Sequence, residues 1–172
     1  MARNVEIKAR VPNLSVVRAK ALSLEPASVE LIGQIDTFFS VPRGRLKIRE
    51  FGDGSGELIS YERPDRVGPK ESVYVRVSVD DPRSLVEALS CVLSVRGQVR
   101  KRREVFVVGR TRIHLDEVEG LGSFVELEVV LRDDDRLQSG EQEAERLMEA
   151  LGISPSDLVV EAYIDMLERT AV

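Results

Sequence analysis

Apolar and polar positions alternate with a period of two over much of this chain. In residues 3–11, Val5, Ile7, Ala9 and Val11 share one parity, and Glu6, Lys8 and Arg10 the other. In an extended strand, successive side chains point to opposite faces, and positions i and i+2 lie ~6.6–6.8 Å apart. The pattern returns at 123–131, where Val125, Leu127, Val129 and Leu131 oppose Glu126 and Glu128. Between these ends the alternation predicts strands at 29–40, 45–51, 57–63, 72–79, 98–108 and 111–118. Gly52-Asp53-Gly54-Ser55-Gly56 marks a hairpin, and Gly109-Arg110 joins another pair. Helical spacing is expected at 14–23 behind an Asn13 cap, at 83–94 after Pro82, and at 139–151 and 155–169.

Eight strands with hairpin connections predict a mostly β protein with α-helices (α+β). The sheet is expected to be antiparallel and to curl or close, a closed tunnel barrel having its helices packed outside. The chain of 172 residues suits one domain over 1–172, without tandem repeats or a linker. A polar inner face and an apolar outer face invert the usual small-barrel core and predict a wet lumen.

Composition changes this picture little, but charge does. The net charge is −5, which argues against a general nucleic-acid binder. A basic cluster inside an acidic chain marks a focused anion site. The one cysteine, Cys91, cannot form an internal disulfide, and helical spacing predicts a packed, inert thiol. With no long apolar run, no signal peptide or membrane span is expected, and a cytoplasmic location is.

The charged faces differ in sign in an organised way. Arg45, Lys47 and Arg49 alternate with apolar residues; Tyr61 shares a parity with Arg63, and Tyr74 with Arg76. Lys70 falls in a Gly-Pro loop, Lys101 and Arg103 share one parity, and Arg112, His114 and Asp116 share another. One such face alone reads as a solvated surface. Together they put acids in the first and last strands and bases between, as a lumen for metal ions and a polyphosphate would. Glu6, Glu126 and Glu128, with Asp116 near, would cluster where the barrel closes. Such carboxylates repel unless a cation joins them. Hard oxygen donors suit Mg²⁺ or Mn²⁺, and arginines and lysines opposite would take phosphate oxygens. The lone His114 is open to three readings: a phosphate contact, a structural hydrogen bond, or a base or metal ligand. Like charges across the lumen predict that Lys70→Ala or Arg103→Ala would raise thermal stability.

These residues resemble the CYTH superfamily of triphosphate tunnel metalloenzymes. Asn4-Val5-Glu6-Ile7-Lys8 matches its N-terminal Glu-x-Glu-x-Lys, with Asn4 in place of the first Glu. Further matches are Asp36-Thr37-Phe38-Phe39, Gly44 to Arg49, Gly68-Pro69-Lys70, Lys101-Arg102-Arg103, Arg112 to Asp116, and Phe124 to Glu128. The resemblance implies that Glu6, Glu126 and Glu128 bind Mg²⁺ or Mn²⁺ and serve catalysis with Lys70, Asp116 being a further metal-side carboxylate. It implies that Lys8, Arg45, Lys47, Arg63, Lys70, Arg76, Lys101 and Arg103 hold the triphosphate. Arg49, Arg112 and His114 join them by strand parity. Arg112 to Asp116 with Val118 to Gly122 is most similar to the class IV adenylyl cyclase branch, which converts ATP to cyclic AMP and pyrophosphate. The alternatives are hydrolysis of an inorganic or organic triphosphate (tripolyphosphate, thiamine triphosphate, a nucleotide) and a binding module without turnover. The resemblance implies a nucleotide or polyphosphate partner, no nucleic acid or membrane partner, and admits a homodimer.

Overall fold

The structure, a computed structural model, describes residues 2–64 and 66–170. In chain order it contains β1 (Ala2–Arg10), α1 (Leu14–Leu22), β2 (Ser28–Phe39), β3 (Arg45–Phe51), β4 (Gly56–Glu62) and β5 (Lys70–Val79). There follow α2 (Pro82–Ser90), β6 (Val95–Val108), β7 (Thr111–Val118), β8 (Gly122–Leu131), α3 (Leu137–Leu151), a 3-10 turn (Pro155–Asp157) and α4 (Tyr163–Thr170). The eight strands close in the order β1-β5-β4-β3-β2-β6-β7-β8. Every neighbouring pair is antiparallel, including the closing pair β1 and β8.

The hydrophobic core lies outside the barrel, as the inverted alternation predicts. Outward residues of β1, β7 and β8, including Ile7, Ile113, Leu115 and Leu127, pack against Val17 and Ala21 of α1 and Leu147 and Leu151 of α3. Burying each large apolar side chain stabilises the fold by roughly 1.5–3 kcal/mol. Asn13 caps α1 by accepting from Ser15 N, and Asp81 caps α2 by accepting from Ser84 N. A second cluster closes one end of the barrel, where Tyr163, Ile164 and Met166 pack on Phe38, Val99 and Phe124.

Three expectations change. Helices cover only part of the barrel: Val75, Val77 and Leu31 on the outer faces of β5 and β2 are 41%, 52% and 64% exposed. Cys91 is exposed rather than packed, because α2 ends at Ser90 and leaves the thiol beyond the helix. The expected helix over 155–169 is broken. After the 3-10 turn, residues 158–162 are irregular, with Leu158 bridging Ala9 of β1 and Val159 N donating to Lys8 O. Val159 and Val160 favour extended backbone. The freed carbonyls of Val160 and Glu161 then receive cationic side chains from the lumen.

Candidate active site: a charged tunnel

Inward-facing residues of all eight strands, with Ala162 and Tyr163, enclose a cavity of about 350 Å³. Eight lysines and arginines and six carboxylates line it, so an acidic chain keeps a basic interior. Toward the ends of β2 and β6 that meet at Ser28 and Val107, the wall is mixed: apolar Ile32, Phe51, Val105 and Val107 stand among Glu30, Glu57, Arg76 and Arg112.

The lumen is internally neutralised rather than divided into an acidic and a basic wall. Arg63 donates to Glu6 at 2.6 Å. Lys8 lies 3.3 Å from Glu126, and Arg112 lies 2.8 Å from Glu128. Arg103 bridges Asp116, at 2.6 Å, and Glu126, at 2.5 Å. Lys47 and Arg49 both hold Asp36, at 2.7 and 2.8 Å. Burial alone would raise the Glu128 carboxyl, but the His114 imidazole and the Arg112 guanidinium bring it down to about 2. Burial is likewise outweighed at Glu126 by Lys101, Arg103 and Lys8, which hold it well below the usual carboxylate range. Burial lowers both Lys8 and Lys47 to about 8.

The structure brings most of the expected residues to one lumen. Lys8, Lys47, Arg49, Arg63, Arg76, Lys101, Arg103, Arg112 and His114 line the cavity with Glu6, Glu126 and Glu128. Three positions differ. Lys70 opens β5 instead of standing in a loop; it is 1% exposed and donates to the carbonyls of Arg66 and Val160. Arg45 lies at a mouth, 3.5 Å from Asp165 of α4. Asp116, fully buried, accepts from Lys101, Arg103 and Tyr163 Oη, so its oxygens anchor cations behind the wall. The expected gain in stability from Arg103→Ala or Lys70→Ala is therefore reversed: both cations are answered by oxygen acceptors.

Two contributors escaped the sequence reading. Tyr163 seats its ring 3.8 Å below the Lys8 ammonium and 4.7 Å from that of Lys101. It lay in a stretch read as continuous helix, and only the break at 158–162 turns it inward. Asp36 could have been found: Ile32, Gln34, Asp36 and Phe38 share a parity, and Asp36 faces Arg49 across the β2–β3 pair.

A dication fits the acidic side. One ligand atom each from His114, Glu126 and Glu128 lie within 4.8 Å of one another. Asn4 Oδ1 and His114 Nδ1, both buried, have no hydrogen-bond partner. Buried polar atoms beside paired carboxylates are compatible with an ion or a water between them.

Fold and lumen together define a charged antiparallel β-tunnel in which basic side chains stand beside carboxylates. The chain belongs to the CYTH domain family, whose model matches residues 2–163. Adenylate cyclase CyaB of Aeromonas hydrophila is 25% identical over 175 residues, spanning 96% of this chain and 89% of its own. Among solved structures, PH1012 protein from Pyrococcus horikoshii OT3 matches with a TM-score of 0.85 at 24% identity, over 94% of this chain and 98% of that one. HpAC1 from Hippeastrum, described as having a dominant triphosphatase activity, matches with a TM-score of 0.64 at 18% identity, over 99% and 96%. Among the described residues no helix is long and apolar enough to cross a membrane.

Proposed function

We propose that the tunnel binds ATP and a divalent cation and forms cyclic AMP and pyrophosphate, the class IV adenylyl cyclase reaction. The observation that carries this reading is one cavity in which basic side chains and a carboxylate pair meet, with apolar Ile32, Phe51, Val105 and Val107 also in its wall. Arginine forks and lysine ammoniums suit the phosphate oxygens. Ile32, Phe51, Val105 and Val107 suit an organic group beyond them.

Glu126 and Glu128, with Glu6 and Asn4 across the β1–β8 seam, would hold the ion. A bound dication supplies charge neutralisation on the phosphates and a more acidic attacking hydroxyl. Lys8, Lys101 and Arg103 would position the phosphates. The ribose 3′-hydroxyl loses its proton to solvent as its oxygen bonds the α-phosphorus and the bond to the pyrophosphate oxygen breaks. Asp116 and Tyr163 act as positioning residues through Lys101 and Arg103.

Asn4 favours a second reading in the same tunnel. A neutral amide where the family pattern has Glu removes one negative charge from the metal side and weakens an ion held there. Attack by water on the terminal phosphorus, or binding without turnover, would then compete with cyclisation.

Product analysis with ATP and with tripolyphosphate, each with Mg²⁺ or Mn²⁺, tests these readings. Cyclic AMP with pyrophosphate supports the cyclase. Orthophosphate without cyclic AMP makes the protein a triphosphatase. Turnover absent in the parent but gained in Asn4→Glu identifies a binding module. Glu126→Gln and Glu128→Gln should lose some stability, since each leaves a lumen cation short of a carboxylate, and should need far more Mg²⁺ for activity; full activity at low Mg²⁺ would remove them from the ligand set.

A further inference from the structure

His114 stands opposite Glu126 on the paired strands β7 and β8, and Glu128 lies two residues farther along β8. Its side chain is 5% exposed, and its Nδ1 has no hydrogen-bond partner. That nitrogen is 3.8 Å from Glu126 Oε2 and 3.8 Å from Glu128 Oε1. Both distances are too long for hydrogen bonds. Metal–ligand bonds of ~2.0–2.2 Å place neighbouring ligand atoms about 3.0–3.6 Å apart. Closing this trio around an ion therefore needs side-chain movement on the order of 1 Å.

We propose that His114 is a metal ligand through Nδ1 and, with Glu126 and Glu128, forms a nitrogen-and-oxygen site that favours a first-row transition dication such as Mn²⁺ over Mg²⁺. The proposal rests on the reading above that the carboxylate pair holds a dication. A phosphate contact, the role expected from strand parity, fits this place less well. An anion reaching Nδ1 would meet the two carboxylates that flank it. Mg²⁺ prefers an octahedron of oxygens and sheds water reluctantly, whereas first-row transition dications accept imidazole nitrogen more readily, Mn²⁺ the least strongly among them. The paired strands fix the three donors, so the preference comes from the fold and not from a mobile loop.

The test is pulsed electron paramagnetic resonance on the Mn²⁺-loaded full chain, with and without inorganic tripolyphosphate, beside calorimetric titration of Mn²⁺ and Mg²⁺. Imidazole ¹⁴N coupling is expected in the parent and lost in His114→Ala and His114→Asn. Mn²⁺ affinity should fall about 10-fold or more in both variants, with a smaller loss for Mg²⁺. The parent spectrum decides even where a variant fails to fold. Mn²⁺ that binds, is lost in Glu126→Gln, and shows no nitrogen coupling would overturn the role of His114 while leaving the carboxylate site standing. No dication binding to the parent, with or without tripolyphosphate, would overturn both.

Discussion

Arg103→Met isolates the principal ionic link of the tunnel wall. Arg103 is 4% exposed and donates to Asp116 through two nitrogens and to Glu126 through one. Methionine keeps much of the stem volume and removes the charge. Asp116 then keeps Lys101 and Tyr163, while Glu126 keeps Lys8, at 3.3 Å, as its close ion-pair partner among the described residues, with Lys101 as a further nearby charge shared with Asp116. Breaking a buried pair from one side costs about 3–5 kcal/mol, because the remaining charge stays desolvated. In a domain of this size each kcal/mol lowers the melting temperature by roughly 2–4 °C, so a fall of about 6–20 °C is expected. Circular dichroism melts at pH 7 in low salt would measure it, with urea midpoints as a check on cooperativity. An unchanged or raised melting temperature would refute the reasoning and restore like-charge repulsion as the dominant energy of the lumen.

Three further outcomes follow from the same geometry. Lys8 and Lys47 sit near pKa 8 without ligand, and an anion beside them raises both values, so tripolyphosphate binding at pH 8 should take up protons; titration in buffers of different ionisation enthalpy reads this, and a zero slope would contradict it. Tyr163→Phe keeps the ring against Lys8 but removes the hydroxyl that donates to Asp116, so a loss of about 1.5–3 kcal/mol is expected by denaturant titration, and no loss would mean that Lys101 and Arg103 alone satisfy that carboxylate. Gly140→Ala gains roughly 1 kcal/mol of helix propensity, but its Cβ would sit 2.7 Å from Val5 Cγ2 and 2.8 Å from Leu131 Cδ2; overpacking of about 1–3 kcal/mol should win, and a raised melting temperature would show that α3 can shift away from β1.

The strands and their inward faces were legible because parity is a local property. Val5, Ile7, Leu127 and Val129 face outward in the structure as their spacing requires, and the lumen collects the opposite parity. Pairing across the lumen was not legible, since it depends on register and closure. Nothing in the local sequence says that Arg103 reaches both Asp116 and Glu126, or that Arg63 meets Glu6. The C-terminal segment misled for a tertiary reason. Its helical spacing is real at 163–170, but the hydrogen-bonding needs of Lys8, Arg63 and Lys70 favour bare carbonyls at Val160 and Glu161. A continuous helix would have used those carbonyls internally.

If the tunnel binds a dication and a triphosphate as proposed, internal neutralisation gives it a way to couple the two. The carboxylates suited to a dication, Glu126 and Glu128, are the same ones that now hold Lys8, Arg103 and Arg112. Each base shared with a carboxylate is less available to phosphate, and each carboxylate shared with a base is less available to a cation. Once the carboxylates turn to a cation, the three bases are left for an anion, and the reverse order has the same net effect. Linkage makes this reciprocal: whatever factor a dication adds to triphosphate affinity, triphosphate adds to dication affinity. Lys47 and Arg49 stand outside the exchange, because Asp36 holds them and is not part of the metal-side trio. Coupling therefore concentrates on the β1–β8–β7 side of the lumen, where removing Arg103 or Lys8 should reduce the mutual enhancement, while changing Lys47 should weaken the anion alone.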